Sequence, residues 1–158
     1  EEAFFLSKKF IYILLKNYIY DMILNTTYLD KEKKTTINNH VGKGYSFWKA
    51  LFKKSIGSHR MIIEEYSERF KSYFKSNNDL LYGNLEVREK GLIVRISINY
   101  ETISWLIPYY KLSIYNSKNF SLHSSGSYIK FRKDSNYNMN KKFILNLINR
   151  KAEFLNNS

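Results

Sequence analysis

Three groups of side chains in this sequence could do chemistry, and each is incomplete. Glu64, Glu65 and Glu68 lie close together; on a helix, Glu64 and Glu68 share a face, and paired carboxylates can share a proton or hold a metal. Glu65, four residues before Arg69, is equally an ordinary helix-surface ion pair, which is the stronger reading because catalytic carboxylates need a cleft. His40, His59 and His123 are far apart, with no i, i+4 pair and no acid at ligand spacing. The sequence contains no cysteine, which removes disulfides, thiolate metal sites and cysteine nucleophiles together. Gly42-Lys43-Gly44 lacks the glycine five residues ahead that a phosphate-cradling loop requires. No nucleophile elbow, H-E-x-x-H or dinucleotide fingerprint occurs. No catalytic residue, metal site or cofactor is nominated, and nothing points to an enzyme.

Binding chemistry is better represented. A formal net charge of +12 and a pI near 9.7 favour polyanionic partners. Abundant Lys, Asn, Ile and Tyr beside scarce Pro, Ala and Gly are also what AT-rich codons write, so the placement of the charge has to decide. On outward strand positions, Lys111, Tyr115, Tyr128, Lys130 and Arg132 would combine cations for phosphates with rings for stacking. Lys49, Lys53 and Lys54 on a short helix could extend that edge. No RNP, KH or helix-turn-helix signature accompanies them.

The elements that must position these residues follow from the hydrophobic pattern. With 158 residues, 44% of them hydrophobic and 17% aromatic, the chain suits one domain with an ample core. Residues 2–24 read as a helix through Phe4, Ile11, Leu15, Tyr18 and Met22. Its wide apolar arc suits burial within the domain, with a second copy of the chain or a membrane surface as alternatives. Lys8, Lys9, Lys16 and Asp21 interrupt it as a membrane span. The chain begins at Glu1 rather than at methionine, which leaves upstream residues open. Residues 25–34 read as a polar, solvated connector, 35–45 as irregular chain with a glycine turn, and 47–55 as a helix capped by Ser46. A further helix runs from Ser58 through Ile62, Tyr66, Phe70, Tyr73 and Phe74 to the polar break at 76–79. Residues 1–78 thus form a helical subregion.

From Tyr82 the period becomes two. Leu85 and Val87 point inward, as do Leu92, Val94, Ile96 and Ile98 across a turn at 89–91, and then Ile103, Trp105 and Ile107. Pro108 bends the chain or marks an edge. Further strands set Tyr110, Leu112 and Ile114, then Phe120 and Leu122, then Ile129 and Phe131 inward. An amphipathic helix at 139–154, with Phe143, Ile144, Leu147, Ile148 and Phe154 on one side, closes the sheet. The expected fold is α+β: a helical N-terminal half, then a curved antiparallel sheet of six strands capped by a C-terminal helix, in a single domain.

The strand opening Gly91-Leu92-Ile93-Val94, the Ile107-Pro108-Tyr109 step and the helix at 139–154 resemble the pleckstrin-homology-like (PH-like) superfold. The likeness is closest to its small bacterial members of unknown role and covers residues 82–154, with six strands where that superfold has seven. It implies an anionic headgroup site around the first hairpin, which falls here on Arg88, Lys90 and Arg95, with Glu89 among them. The function expected is a non-enzymatic binding or adaptor module for a protein partner or an anionic lipid surface, with RNA binding through the basic, aromatic sheet face as the alternative. The setting expected is cytoplasmic or peripheral to a membrane.

Overall fold

Leu92-Ile93-Val94 and Trp105-Leu106-Ile107 are apolar at consecutive positions, and side chains alternate across a strand, so these segments must be covered on both faces. The structure, a computed structural model, describes residues 8, 11, 21–46, 56–74 and 80–158. It meets that demand with one antiparallel sheet lying between helices. The strands are β1 (Met22–Asn25), β2 (Met61–Tyr66), β3 (Leu81–Val87), β4 (Gly91–Ile98), β5 (Glu101–Pro108), β6 (Ser113–Asn116), β7 (Phe120–Ser124) and β8 (Ser127–Phe131). Their order is β1-β5-β4-β3-β2-β8-β7-β6. The helices are α1 (Lys31–Val41), α2 (Ser135–Met139) and α3 (Lys141–Asn156), with 3₁₀ turns at Glu68–Phe70 and Tyr109–Lys111.

The larger core lies on the inner face. Leu85, Val94, Trp105, Leu122 and Phe131 are fully buried there beneath Phe143, Ile144 and Leu147 of α3. Phe70 meets the Trp105 ring edge-on at 5.1 Å. On the outer face, Ile93 and Leu106 are buried under Ile37 and Val41 of α1, with Met22 and Leu24 beside them. Gly91 allows this closeness, because a Cβ at that position would collide with the Ile107 carbonyl and with Val41. Two-residue turns at Asn99-Tyr100 and Ser125-Gly126 take positive φ at both positions, the turn that matches the twist of a hairpin.

The helical N-terminal half expected from sequence is corrected by β1 and β2, and the sheet has eight strands where six were expected. The segment expected as a helix from Ser58 is strand β2 followed by the 3₁₀ turn at Glu68–Phe70. Its aromatic spacing is helical, but Met61, Ile62 and Ile63 are all buried, and an irregularity between Ile63 and Glu65 resets the alternation. The helix expected over 2–24 gives way to β1 at Met22. Most of that helix, and all of the one at 47–55, lie outside the described residues. Conversely, the expected polar connector and irregular stretch contain α1, capped by the Asp30 side chain at its start and by Gly42 at its end. The expected strand through Tyr110 is interrupted: Pro108 leads into the 3₁₀ turn, Tyr110 is 58% exposed, and β6 begins only at Ser113.

The C-terminal helix is divided into α2 and α3 by Asn140, which is buried. Its side chain accepts from His59 N at 2.8 Å and donates to His59 O at 3.1 Å, fixing the entry to β2. Among the described residues no helix is long and apolar enough to cross a membrane.

Leu147 is fully buried under the sheet while Leu145, on the same helix, is 60% exposed. Leu147→Ala is therefore expected to destabilise the fold by about 2–5 kcal/mol and Leu145→Ala by no more than about 0.5 kcal/mol, read as the difference in urea midpoint. Equal costs would contradict the seating of α3.

Candidate functional site

Two of the three cations expected to gather at a hairpin meet on one carboxylate. Arg88, Lys90 and Arg95 belong to the β3–β4 hairpin, which is the second of the meander because β2 and β3 already pair. Glu86 and Arg95 share the outer face, and Glu86 Oε2 accepts from Arg95 Nε at 3.0 Å and Nη2 at 2.7 Å. Arg88 Nε lies 2.7 Å from Glu86 Oε1, a close but bent ion pair. Arg95 Nη1 continues to Ser104 Oγ at 3.3 Å, and Ser104 Oγ is 2.6 Å from Thr26 Oγ1, so the network stitches β3, β4 and β5 to the end of β1. Arg88 also lies beside Lys34, Asn38, Leu29 and Ile37 in a cleft under α1. Lys90 is exposed on the hairpin, and its backbone N–H donates to Val41 O. One carboxylate already neutralises much of what two arginines could offer an incoming anion.

Three of the five residues considered for nucleic acid do share the outer face. Tyr115 on β6 meets His123 on β7 edge-on at 4.9 Å, and His123 stacks on Tyr128 of β8 at 5.4 Å. The row continues onto β2, where Tyr128 Oη donates to Glu65 Oε1 at 2.6 Å and Lys130 Nζ donates to Glu65 Oε2 at 3.2 Å. Glu64 lies 3.8 Å from the same ammonium. The hydrogen bond from Tyr128, then Lys130, holds the Glu65 carboxyl below its usual range, and the same bond raises the Tyr128 phenol. Two carboxylates against one ammonium make this part of the row unfavourable to phosphate. Arg132 is exposed just beyond β8. Lys111 is elsewhere, in the Tyr109–Lys111 turn, with its ammonium over the Tyr110 ring.

The other expected groups also separate. Glu65 pairs across the sheet rather than with Arg69, whose guanidinium donates to the Asp21 carbonyl. Glu68 pairs with Lys71 at the surface at 2.6 Å. Among the described residues, no three His, Asp or Glu side chains come together as a metal set.

The sequence reading missed an open cleft of ≈ 540 Å³ between β6 and α3, lined by Ile114, Ile148, Lys151, Ala152 and Leu155. Ile148 was expected inward but is 37% exposed, and Leu155 is 44% exposed. At 100° per residue, Ile148, Leu155, Ala152 and Leu145 form a flank beside the buried stripe of Phe143, Ile144 and Leu147. That width was the available signal, since Leu145 and Leu155 exceed what one buried face needs. Ile114 turns to the inner side and forms the floor. Among the described residues β6 pairs with β7 alone, so its other edge is unpaired.

No family model, no curated protein and no solved structure matches the chain.

The histidines set a pH dependence. Burial first, then Lys111, lowers the pKa of His40 against an opposing pull from Asp21, and burial lowers that of His123. The unfolded chain titrates near 6.5 and so binds more protons as pH falls, which means that the stability these groups contribute is complete above that value and is lost below it. The melting temperature is expected to fall between pH 7.5 and 5.5, and His40→Gln to reduce the fall. An unchanged slope in that variant would contradict the burial of His40.

Proposed function

We propose that this chain is a non-enzymatic binding module and that its ligand is a protein partner docked on the apolar flank shared by α3 and β6. The observation that carries this reading is the concentration of exposed Leu145, Ile148 and Leu155 beside half-buried Ile114, at a strand edge that no described residue pairs. Scattered exposed hydrophobic residues are ordinary, whereas a contiguous group rimmed by charge is the mark of an interaction site. The reading also takes β2 to α3 as a PH-like unit, to which β1 and α1 are additions. Its support is a pair of antiparallel meanders, β2 to β5 and β6 to β8, joined by the β2–β8 pairing and open between β5 and β6, with a C-terminal helix packed on the inner face. Fold likeness alone confers no ligand, so the cleft and not the superfold bears the functional claim.

Nucleic acid and anionic headgroups are weaker ligands for the same molecule. Tyr128 and Lys130 are engaged by Glu65, and Arg88 and Arg95 are engaged by Glu86.

Two measurements test the reading. With benzoylphenylalanine at position 148, irradiation in the cells of origin is expected to give discrete protein adducts that the same residue at position 132 does not give. Single-stranded RNA and duplex DNA, titrated across a salt series, are expected to bind only weakly, with no change when Tyr128, Lys130 and Arg132 are replaced by alanine. Saturable RNA binding that falls steeply with salt and falls further in that triple variant would overturn the reading in favour of nucleic acid.

A further inference from the structure

We infer that the partner presents an extended segment, apolar at alternate positions and acidic at its ends, which adds to β6 as a further antiparallel or parallel strand. The inference rests on the protein-binding reading above and specifies the chemistry of what is bound.

The first argument is the edge itself. In a strand, alternate residues turn their N–H and C=O groups to either side, so a strand paired on one side presents a row of unused donors and acceptors on the other. Edges are usually blunted by shortness, lysine, proline or a bulge. Ser113-Ile114-Tyr115-Asn116 is short but has no lysine, proline or bulge, and the irregular pairing of the sheet lies in β2 instead. Backbone pairing along such an edge gives affinity whatever the side chains, and side-chain pockets then give selectivity.

The second argument is that both faces beside β6 are furnished for a strand. The side chains of an added strand would point alternately inward and outward. The inward set would enter the cleft over Ile114, against Ile148 and Leu155. The outward set would lie along the Tyr115 ring, which is 58% exposed.

The third argument is charge. Lys151 lines the cleft, none of the described residues that line it is acidic, and Lys118 stands exposed in the turn that follows β6. α3 itself carries Lys141, Lys142, Arg150 and Lys151 against a single acid, Glu153. An incoming segment with acidic ends gains from this field, and a basic one is repelled. The same charges argue against a second copy as the occupant, because two β6 edges brought together would oppose lysine to lysine.

The test is a displayed library of random twelve-residue peptides panned against the immobilised chain, followed by synthesis of the enriched sequences. Enriched peptides are expected to be acidic, with apolar residues at alternate positions. Their affinity is expected to fall by about tenfold or more with Ile148→Asp, or with Lys118→Glu combined with Lys151→Glu, while Arg132→Glu leaves it unchanged. Methylating one peptide N–H at a time should block binding at alternate positions only. Thermal melts of each variant confirm that it is folded, and the charge-reversal pair, being on exposed or half-exposed sites, serves if Ile148→Asp is not.

Absence of enrichment overturns the inference, as does unchanged or tighter binding to the charge-reversed variant. Methylation losses without a period of two point to a helical occupant and also overturn it. Light scattering that shows a dimer, returned to monomer by Tyr115→Pro, would make the occupant a second copy. In any of these cases a discrete protein adduct at position 148 still supports the binding module and removes only the strand-addition mode, whereas loss of the adduct removes both.

Discussion

Burying Ile93 and Leu106 on the adjacent strands β4 and β5 requires an apolar layer on the face opposite Trp105, and much of the remaining architecture follows from that requirement. The inner face takes the large side chains and is closed by α3. The smaller apolar cluster of the outer face lies over β4, β5 and β1, so a small cover suffices there, and α1 supplies it with Ile37 and Val41, one helical turn apart. Each such side chain contributes about 1.5–3 kcal/mol when fully buried, which is enough to hold an otherwise polar helix on the sheet. Where α1 ends, the outer face becomes polar, and Glu86, Arg95 and Ser104 form the boundary.

That boundary explains why a strongly basic chain shows no single phosphate-tracking stripe on its sheet. Acids stand wherever cations gather on the outer face: Glu86 between Arg88 and Arg95, and Glu64 and Glu65 against Lys130. Half-buried guanidinium groups need such partners, since a charge withdrawn from water without one is costly. Among the described residues, further positive charge stands on α1, the β3–β4 hairpin and α3. Net charge therefore bears on association and solubility, and the local pairing decides which surface can take an anion.

The parts legible in the sequence are those whose signal is local. The inner-facing residues expected in β3, β4, β5 and β8 are buried, and in β4 and β5 the opposite-face Ile93, Ser104 and Leu106 are buried as well. β2 was hidden because Ile62, Tyr66, Phe70 and Phe74 fall at helical spacing by virtue of a strand, an irregular step and a 3₁₀ turn in succession. α1 was hidden because only two of its residues are buried, although its punctuation was present: Asp30 accepts from Lys33 N at 2.7 Å, and Gly42, at φ +82°, donates to Asn38 O. At the candidate sites, the outward aim of Tyr115, Tyr128 and Lys130 could be read from alternation. Glu65 as their partner could not, because the β2–β8 register joins residues more than sixty positions apart. The cleft at β6 needed the helix and the strand in place together.

Among the described residues the sheet ends at β1 and at β6, and the two edges are treated differently. At β1 the chain is tied where it enters: the Asp21 carbonyl accepts from the Arg69 guanidinium, and its carboxylate accepts from Ser125 Oγ at 3.4 Å. Those contacts join the β1 edge to the Glu68–Phe70 turn and the β7–β8 turn. At β6 the ties come from behind. Tyr137 Oη donates to Asn116 Oδ1 at 2.7 Å, Lys133 Nζ donates to the Ser117 carbonyl, and Ile114 is anchored in the core. A strand fixed in this way has already lost its conformational freedom during folding. A segment that pairs with it must order itself but need not order the edge, and this saving commonly separates a productive surface from a merely accessible one. The rigidity of β6, more than the +12 charge, distinguishes that edge from the rest of the molecule.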